Sequence, residues 1–378
     1  MRSKAIYISG QARLLEVRNR YHVTLSTFYI GRYIFELSSL TGSQKKNLAK
    51  LSSGSKVVHQ WPTLKNSTQL IAFCDEVDDS FFQQVDDIGL QSFLQRVYYF
   101  YRQENKPVWD RLNFEQAPLI MGVLNVTPDS FSDGGQYTSV EHALRQAMQM
   151  VEQGAHIIDV GGESTRPGAA PVCTDEELNR VVPVIQAIRK ESDVLISIDT
   201  KKSVVAEAAL QNGAYIISDV SGLRSDPKMA DIARQYECAV VVMHMKGEPR
   251  TMQQNPWYDD VMGEIYSFFE ERITFLRKKG LNKIIIDPGI GFGKRVEDNL
   301  IILRDLKDFL FLGAPILVGA SRKSFIGKVL NKEVDKRLYG TLASHSHALE
   351  NGAKIIRVHD VYETADIVGI FKHIHGFN

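Results

Sequence analysis

From Leu119 to the C-terminus one unit recurs: a short apolar run rich in β-branched residues, a polar loop, then an amphipathic stretch with helical spacing. The runs are LIMGVLNV (119–126), HIIDVGG (156–162), VLISIDT (194–200), YIISDV (215–220), AVVVMHM (239–245), IIIDPG (284–289), ILVGAS (316–321) and IIRVHD (355–360). Helical patterns such as SVEHALRQAMQMVEQG, TDEELNRVVPVIQAIRK and DVMGEIYSFFEERITFLRKKG lie between them. A run apolar on both faces is a strand covered on both sides, and strands that alternate with helices pair in parallel. Eight such units over about 260 residues predict an α/β fold, a closed (β/α)8 TIM barrel. An open doubly wound sheet is the competing architecture. It rarely strings eight units in series, and no GxGxxG follows the first run.

A barrel of this kind places function at the C-terminal ends of its strands and in the loops behind them. The first run ends in Asn125 and the loop TPDSFSDGG, the second in Asp159 and GGESTRPG, and the third in Asp199. Ser218 and Asp219 end the fourth, His244 the fifth, and Asp287 with PGIGFGK the sixth. SRKS follows the seventh, and Arg357, His359 and Asp360 close the eighth. One strand-terminal Asp is ordinarily a turn residue. Polar groups at all eight ends predict convergence on one mouth.

The residue types at that mouth suit anions and a polar heterocycle. Arg166, Arg357 and His359 offer donors, and arginine matches phosphate bidentately. Asn125 is a neutral oxygen ligand suited to a Mg²⁺ that shares phosphate oxygens and keeps several waters. SRKS opening a helix offers backbone N–H groups to a carboxylate or phosphate. Asp199 and Asp287 end buried strands and need partners. These are either a cation such as Lys323 or a flat heterocycle with an amino-amide edge, for which a pterin is suited. A salt-bridge network that merely closes the barrel is the competing account. In DPGIGFGK the glycines are expected to let backbone approach a ligand, with Phe292 projecting between them. GxSxG and HExxH are both missing, and Cys173 and Cys238 lack evident His partners, so a covalent intermediate is not expected.

Residues 1–115 read as a small α+β domain joined to the barrel near 105–117. YHVTLSTFYIGRYIFELSS is strand-like, TGSQKKNLAKLSSGSK an exposed loop or short helix, and the segment from Gln69 to Gln103 a strand followed by a helix with an aromatic face. The acidic run Asp75–Asp79 reads as a solvated face, and Tyr98–Tyr101 as a packing surface. Lys plus Arg equals Asp plus Glu at 45 each, which gives no general reason to expect nucleic acid or an anionic membrane. Three spaced cysteines, Cys74, Cys173 and Cys238, fit neither a zinc site nor a disulfide framework. With no signal-peptide pattern and no apolar stretch of membrane-spanning length, the chain is expected in the cytoplasm.

MGVLNVTPDSFSDGG, IDVGGESTRPGA, SIDT, MHMKGEPRTMQ, DPGIGFGK, GASRKSFIG and RVHD occur in that order. Over residues 117–378 they closely resemble the dihydropteroate synthases, the pterin-binding barrel enzymes of folate synthesis and targets of sulfonamides. The resemblance implies a 116–378 pterin-binding barrel, Mg²⁺ as cofactor, and a homodimer. It also implies the condensation of 6-hydroxymethyl-7,8-dihydropterin pyrophosphate with p-aminobenzoate to 7,8-dihydropteroate and pyrophosphate. By the same resemblance, Asp199, Ser218, Asp287 and Lys323 stand at the pterin positions. Asn125, Arg166, Arg357 and His359 stand at those for pyrophosphate and metal. Thr165, Pro167, Phe131, Phe292 and Ser324 line the p-aminobenzoate side, and Asp133 orders the closed first loop. Two positions depart from the family: Ser218, where Asn is usual, and Lys246, where Gln is common. An alternative reading is therefore a weakly active or inactive paralogue that binds a pterin or a protein partner. A related methyltransferase is disfavoured, since methyl transfer has no pyrophosphate for Asn125, Arg166, Arg357 and His359 to hold.

Overall fold

Eight parallel strands close into a barrel in the computed structural model of the chain: β5 (Leu119–Asn125), β6 (Ile157–Gly161), β7 (Leu195–Asp199), β8 (Ile216–Asp219), β9 (Ala239–Met243), β10 (Ile284–Asp287), β11 (Ile316–Val318) and β12 (Ala353–Val358). Sequential neighbours pair, and β12 returns to β5, with Arg357 beside Met121. The open-sheet alternative is thereby excluded. The structure describes residues 2–7, 33–38, 40–54, 58–62, 69–73, 91, 109, 111–114, 117–126, 136–164, 169–248 and 251–377. Four preceding strands, β1 (Arg2–Tyr7), β2 (Tyr33–Ser38), β3 (Val58–Pro62) and β4 (Gln69–Phe73), belong to a separate sheet.

Each barrel strand is followed by a helix, and the residues explain the boundaries. Helix Val261–Lys278 starts where the Asp260 carboxylate accepts the Gly263 N–H at 3.1 Å, a side-chain cap of the usual kind. Helix Thr174–Glu191 carries three acids in its first turn and Arg189 and Lys190 in its last, matched to the helix dipole. Helix Gln136–Glu152 begins three residues before the predicted stretch. Val181, Val184, Ile185 and Ile188 on one side, and the fully buried β-branched strand residues on the other, form the layer between helices and sheet.

The bottom of the barrel is plugged by a short hairpin. Trp109 and Leu112 exchange two backbone hydrogen bonds of 3.2 Å. Leu112 and Phe114 are buried against Met121, Ile157, Val241 and Ile285, with Trp109 edge-on to Phe114 at 5.2 Å. This apolar end leaves the opposite end as the polar one.

By contact density the chain divides into 1–106 with 307–313, and 107–306 with 314–378. In the first unit the antiparallel sheet has the order β1-β2-β4-β3 and is accompanied by helix Gly42–Gly54. The segment TGSQKK is a full helix start. Thr41 Oγ1 accepts from Gln44 N–H and Gln44 Oε1 accepts from Thr41 N–H, a reciprocal capping box. Strands β1 and β3 had no counterpart in the sequence reading. Asp75–Asp79, Tyr98–Tyr101 and Cys74 lie outside the described residues.

Candidate active site

Four strand ends lie in one register row: Asn125 beside Gly161, Gly161 beside Asp199, and Asp199 beside Ser218. Residues in one row of a parallel sheet share a face. Asn125, Asp199 and Ser218 therefore point the same way at neighbouring heights. Gly161 leaves the space between Asn125 and Asp199 open, since a Cβ there would sit 3.5 Å from the Asp199 Cβ. Asp219, one residue on, faces the other way. Its carboxylate accepts the N–H groups of Ser221 (2.7 Å) and Leu223 (3.1 Å) and shapes the following loop.

The centre of the mouth is an ion cluster. Arg357 Nε donates to Asp159 Oδ2 at 2.7 Å and Nη2 to Asp199 Oδ2 at 2.8 Å. The two carboxylates hold the guanidinium above its ordinary pKa against the cost of burial. Asp159 is fully buried, and among the described residues its Oδ1 has no hydrogen-bond partner. Burial pushes the Asp199 carboxyl up to about 7, with Arg357 pulling down and Asp159 and Asp219 pushing further up. The Asp287 pKa is likewise raised by burial, while the Gly289 N–H at 2.7 Å and the charges of Lys323, Arg357 and Lys294 oppose the shift. Two carboxylates with a partial appetite for protons, beside a fixed guanidinium, suit a neutral ligand rich in N–H donors.

The loops after β11 and β12 meet beside this cluster. Ser321 Oγ accepts the His359 N–H at 3.2 Å and lies 3.0 Å from His359 Nδ1. Arg322 Nε donates to Asp360 Oδ2 at 3.0 Å, so Asp360 ties the two loops together and does not face the mouth. Ser324 is exposed at the first position of helix Ser324–Leu330. Lys323 Nζ lies 4.2 Å from the centre of the Phe292 ring, a cation–π approach.

The glycines of DPGIGFGK correct one expectation. Two of the three make room for the protein's own backbone, and Gly291 packs against the Lys323 side chain. Gly289 and Gly293 have left-handed φ of +67° and +61°, and a Cβ would lie 2.0 Å from the His244 carbonyl oxygen and 2.1 Å from that of Lys246. His244 is also not a mouth residue. It is buried edge-on to Phe268 at 5.0 Å, with Lys294 Nζ 3.1 Å from its Nδ1. Lys246 turns away as well, donating to the Trp257 carbonyl (2.5 Å) and pairing with Glu264 (2.8 Å). The convergence at the mouth is thus partial: Asp219, His244 and Asp360 build loops.

A cavity of about 260 Å³ beside Asp199 is lined by Glu163, Ser164, Glu177, Thr200 and Lys201. Lys202 pairs with both Glu163 and Glu177, and Arg180 donates to the Gly162 carbonyl at 2.7 Å, which anchors the segment leading to Ser164. Phe131, Asp133, Thr165, Arg166 and Pro167 lie outside the described residues. Among the described residues no cluster of three His, Cys, Asp or Glu could hold a metal. The half-buried Asn125 carboxamide is a single neutral oxygen in the strand-end row, which fits a Mg²⁺ that draws its other ligands from phosphate and water. The sequence reading named Asp159 as a polar strand end without giving it a partner, and gave Lys294 and Lys202 no role. The cost of burying an unpaired charge at a strand end is the signal that could have pointed to a partner for Asp159.

Comparison with known proteins places this geometry. Residues 121–359 match the family described as pterin binding enzyme. The dihydropteroate synthase of Synechocystis sp. is 49% identical over 251 residues, covering 66% of this chain and 87% of that protein. The structure of Xanthomonas albilineans dihydropteroate synthase with 4-aminobenzoic acid aligns with a TM-score of 0.66 and 42% identity, over 70% of this chain and 95% of that one. The same enzyme in complex with 7,8-dihydropteroate aligns with a TM-score of 0.63 and 39% identity, again over 70% and 95%. This chain belongs to the dihydropteroate synthase family of pterin-binding enzymes.

Proposed function

We propose that the barrel condenses 6-hydroxymethyl-7,8-dihydropterin pyrophosphate with p-aminobenzoate. The observation that carries this reading is the grouping of Asp199, Ser218 and Asp287 with the paired guanidinium of Arg357 at one barrel mouth. The bond between the pterin methylene and the pyrophosphate oxygen breaks, and pyrophosphate leaves with the electron pair. The amine of p-aminobenzoate then attacks the methylene and releases a proton. No strong base is needed. The protein's work is to stabilise the leaving charge and to shield a reactive cation.

In this reading Asp199, Ser218, Asp287 and Lys323 hold the pterin edge. Arg357, His359 and Arg166 take the pyrophosphate, and Asn125 holds Mg²⁺, which neutralises pyrophosphate charge. Phe292, Ser324, Thr165, Pro167 and Phe131 receive p-aminobenzoate, and Asp133 orders the first loop over it. The exposed apolar residues Tyr362, Ile370 and Ile374, spaced by multiples of four along helix Val361–Ile374, support a homodimer. The catalytic barrel of this reading is residues 116–378, preceded by the hairpin at 109–114 that plugs it. The reading takes the enzyme as cytoplasmic and working without membrane or nucleic acid; no helix among the described residues is long and apolar enough to cross a membrane.

Turnover by the purified full-length chain with both substrates and Mg²⁺, read as dihydropteroate by chromatography, tests the reading. Product supports it. Its absence in both the native chain and Ser218→Asn favours a pterin-binding module, and rescue by Ser218→Asn traces the defect to the pterin contact. Sedimentation tests the dimer.

A further inference from the structure

The loop after β10 is held by the loop after β9, and a buried lysine is the fastener. Lys294 is 4% exposed. Its Nζ donates to the Phe292 carbonyl at 3.1 Å and the His244 carbonyl at 3.2 Å, and it lies 3.1 Å from His244 Nδ1. An ammonium has three N–H groups, and these three acceptors use them all. Among the described residues no carboxylate comes within ion-pair distance of it. A residue that merely filled this space would be apolar, because burying an ammonium without a counter-charge is costly.

The neighbouring bonds point the same way. Tyr258 hydroxyl donates to the Gly293 carbonyl at 2.9 Å, and Gln253 Nε2 to the Gly291 carbonyl at 2.6 Å. The Gly291 N–H donates to Asn299 Oδ1 at 2.7 Å. Phe292, the residue between those two glycines, has its ring against Val220, Met243, Met245 and Met252 on one side and Lys323 on the other. The backbone on either side of Phe292 is therefore bonded from the 244–258 loop, and its own carbonyl is bonded by Lys294.

We propose that Lys294 is a positioning residue that sets the place of the Phe292 ring by tying the Phe292 carbonyl to His244, and thereby sets affinity for p-aminobenzoate without touching it. This rests on the assignment of Phe292 to the p-aminobenzoate side. Burial lowers the Lys294 pKa to about 7, with Lys323 lowering it further and Asp287 and Asp298 opposing, so near neutrality the group is divided between the ammonium, with three N–H donors, and the amine, with two donors and a lone pair. His244 faces Lys294 as an acceptor because burial, Lys294, Arg224 and Lys246 keep its pKa well below the ordinary histidine value.

The test compares Phe292→Ala, Lys294→Met and the native full-length chain by steady-state kinetics, varying each substrate in turn. The expected result is a KM for p-aminobenzoate raised roughly ten- to hundredfold in both variants. In Lys294→Met the KM for the pterin pyrophosphate and the kcat at saturation are expected to stay within about threefold. If Lys294→Met does not yield folded protein, Tyr258→Phe and Gln253→Ala decide, with smaller rises confined to the same KM. A selective effect in Phe292→Ala with none in the Lys294, Tyr258 or Gln253 variants overturns the proposal and leaves the site assignment standing. Equal rises in both KM values also overturn it. An unchanged p-aminobenzoate KM in Phe292→Ala removes the assignment, and the proposal with it.

Discussion

Asp159→Ala removes one of the two carboxylates that grip Arg357. Asp159 is fully buried, and its Oδ2 takes the Arg357 Nε at 2.7 Å, while Nη2 goes to Asp199 at 2.8 Å. Arg357 stays paired with Asp199, so what is lost is the charge-assisted hydrogen bond from Nε, worth about 1.5–3 kcal/mol. For a unit of this size each kcal/mol moves the melting temperature by about 2–4 °C, so the barrel transition is expected to fall by roughly 3–12 °C. Asp159→Asn retains an oxygen for Nε and loses only the charge, so its fall is expected to lie between native and Ala. The functional consequence follows from the same geometry. With Asp159 gone, the guanidinium is held from the Asp199 side alone, and the KM for the pterin pyrophosphate rises. Differential scanning calorimetry on the native chain and the two variants, followed by initial-rate kinetics, checks both statements. An Asp159→Ala chain that melts within about 1 °C of native, with unchanged kinetics, refutes the idea that this pairing organises the mouth.

Three further outcomes are expected. Ser218→Asn restores a group that both donates and accepts beside Asp199, and is expected to tighten pterin binding by about 1–3 kcal/mol, roughly five- to 150-fold, measured by calorimetry with dihydropteroate; an unchanged affinity would show that the serine hydroxyl or a water already serves. Asp199 accepts ligand N–H groups as the carboxylate, and burial lifts its pKa from 3.8 to about 7. Pterin affinity should therefore fall as pH drops through about 7, whereas the folded chain, holding a proton that the unfolded chain releases above about pH 4, loses stability as pH rises from about 4 to 7. A flat affinity profile between pH 5.5 and 8.5 would count against the role, and Asp199→Asn should flatten it. Lys246→Gln breaks a half-exposed pair with Glu264 worth about 0–1 kcal/mol and should leave both KM values unchanged, since Lys246 points to Trp257 and away from the mouth.

The local pattern determined the architecture. Runs such as AVVVM at 239–243 are apolar on both faces, and only a parallel sheet clad by helices buries both, so eight of them in series required a closed barrel. Barrel polarity then put Asn125, Asp199, Ser218 and Asp287 at one end, and the motif order was enough to indicate the family. Among the described strands of the N-terminal unit, β1 and β3 escaped notice; for β1, a six-residue strand whose partner β2 begins 26 positions after its last residue leaves no hairpin signal.

Tertiary structure decided which polar strand ends became the site. Ser218 and Asp219 are adjacent in the chain, yet side chains alternate along a strand, so register alone turned Ser218 to the row of Asp199 and Asp219 to a loop. The Arg357–Asp159 pair joins residues 198 positions apart, a contact that exists only because β12 closes against β5. The glycines of DPGIGFGK have the same composition whether backbone or ligand fills the space beside them. It is the approach of the β9 loop, with the His244 and Lys246 carbonyls where a Cβ would stand, that gives them to the protein's own packing and makes Lys294 the buried link between the two loops.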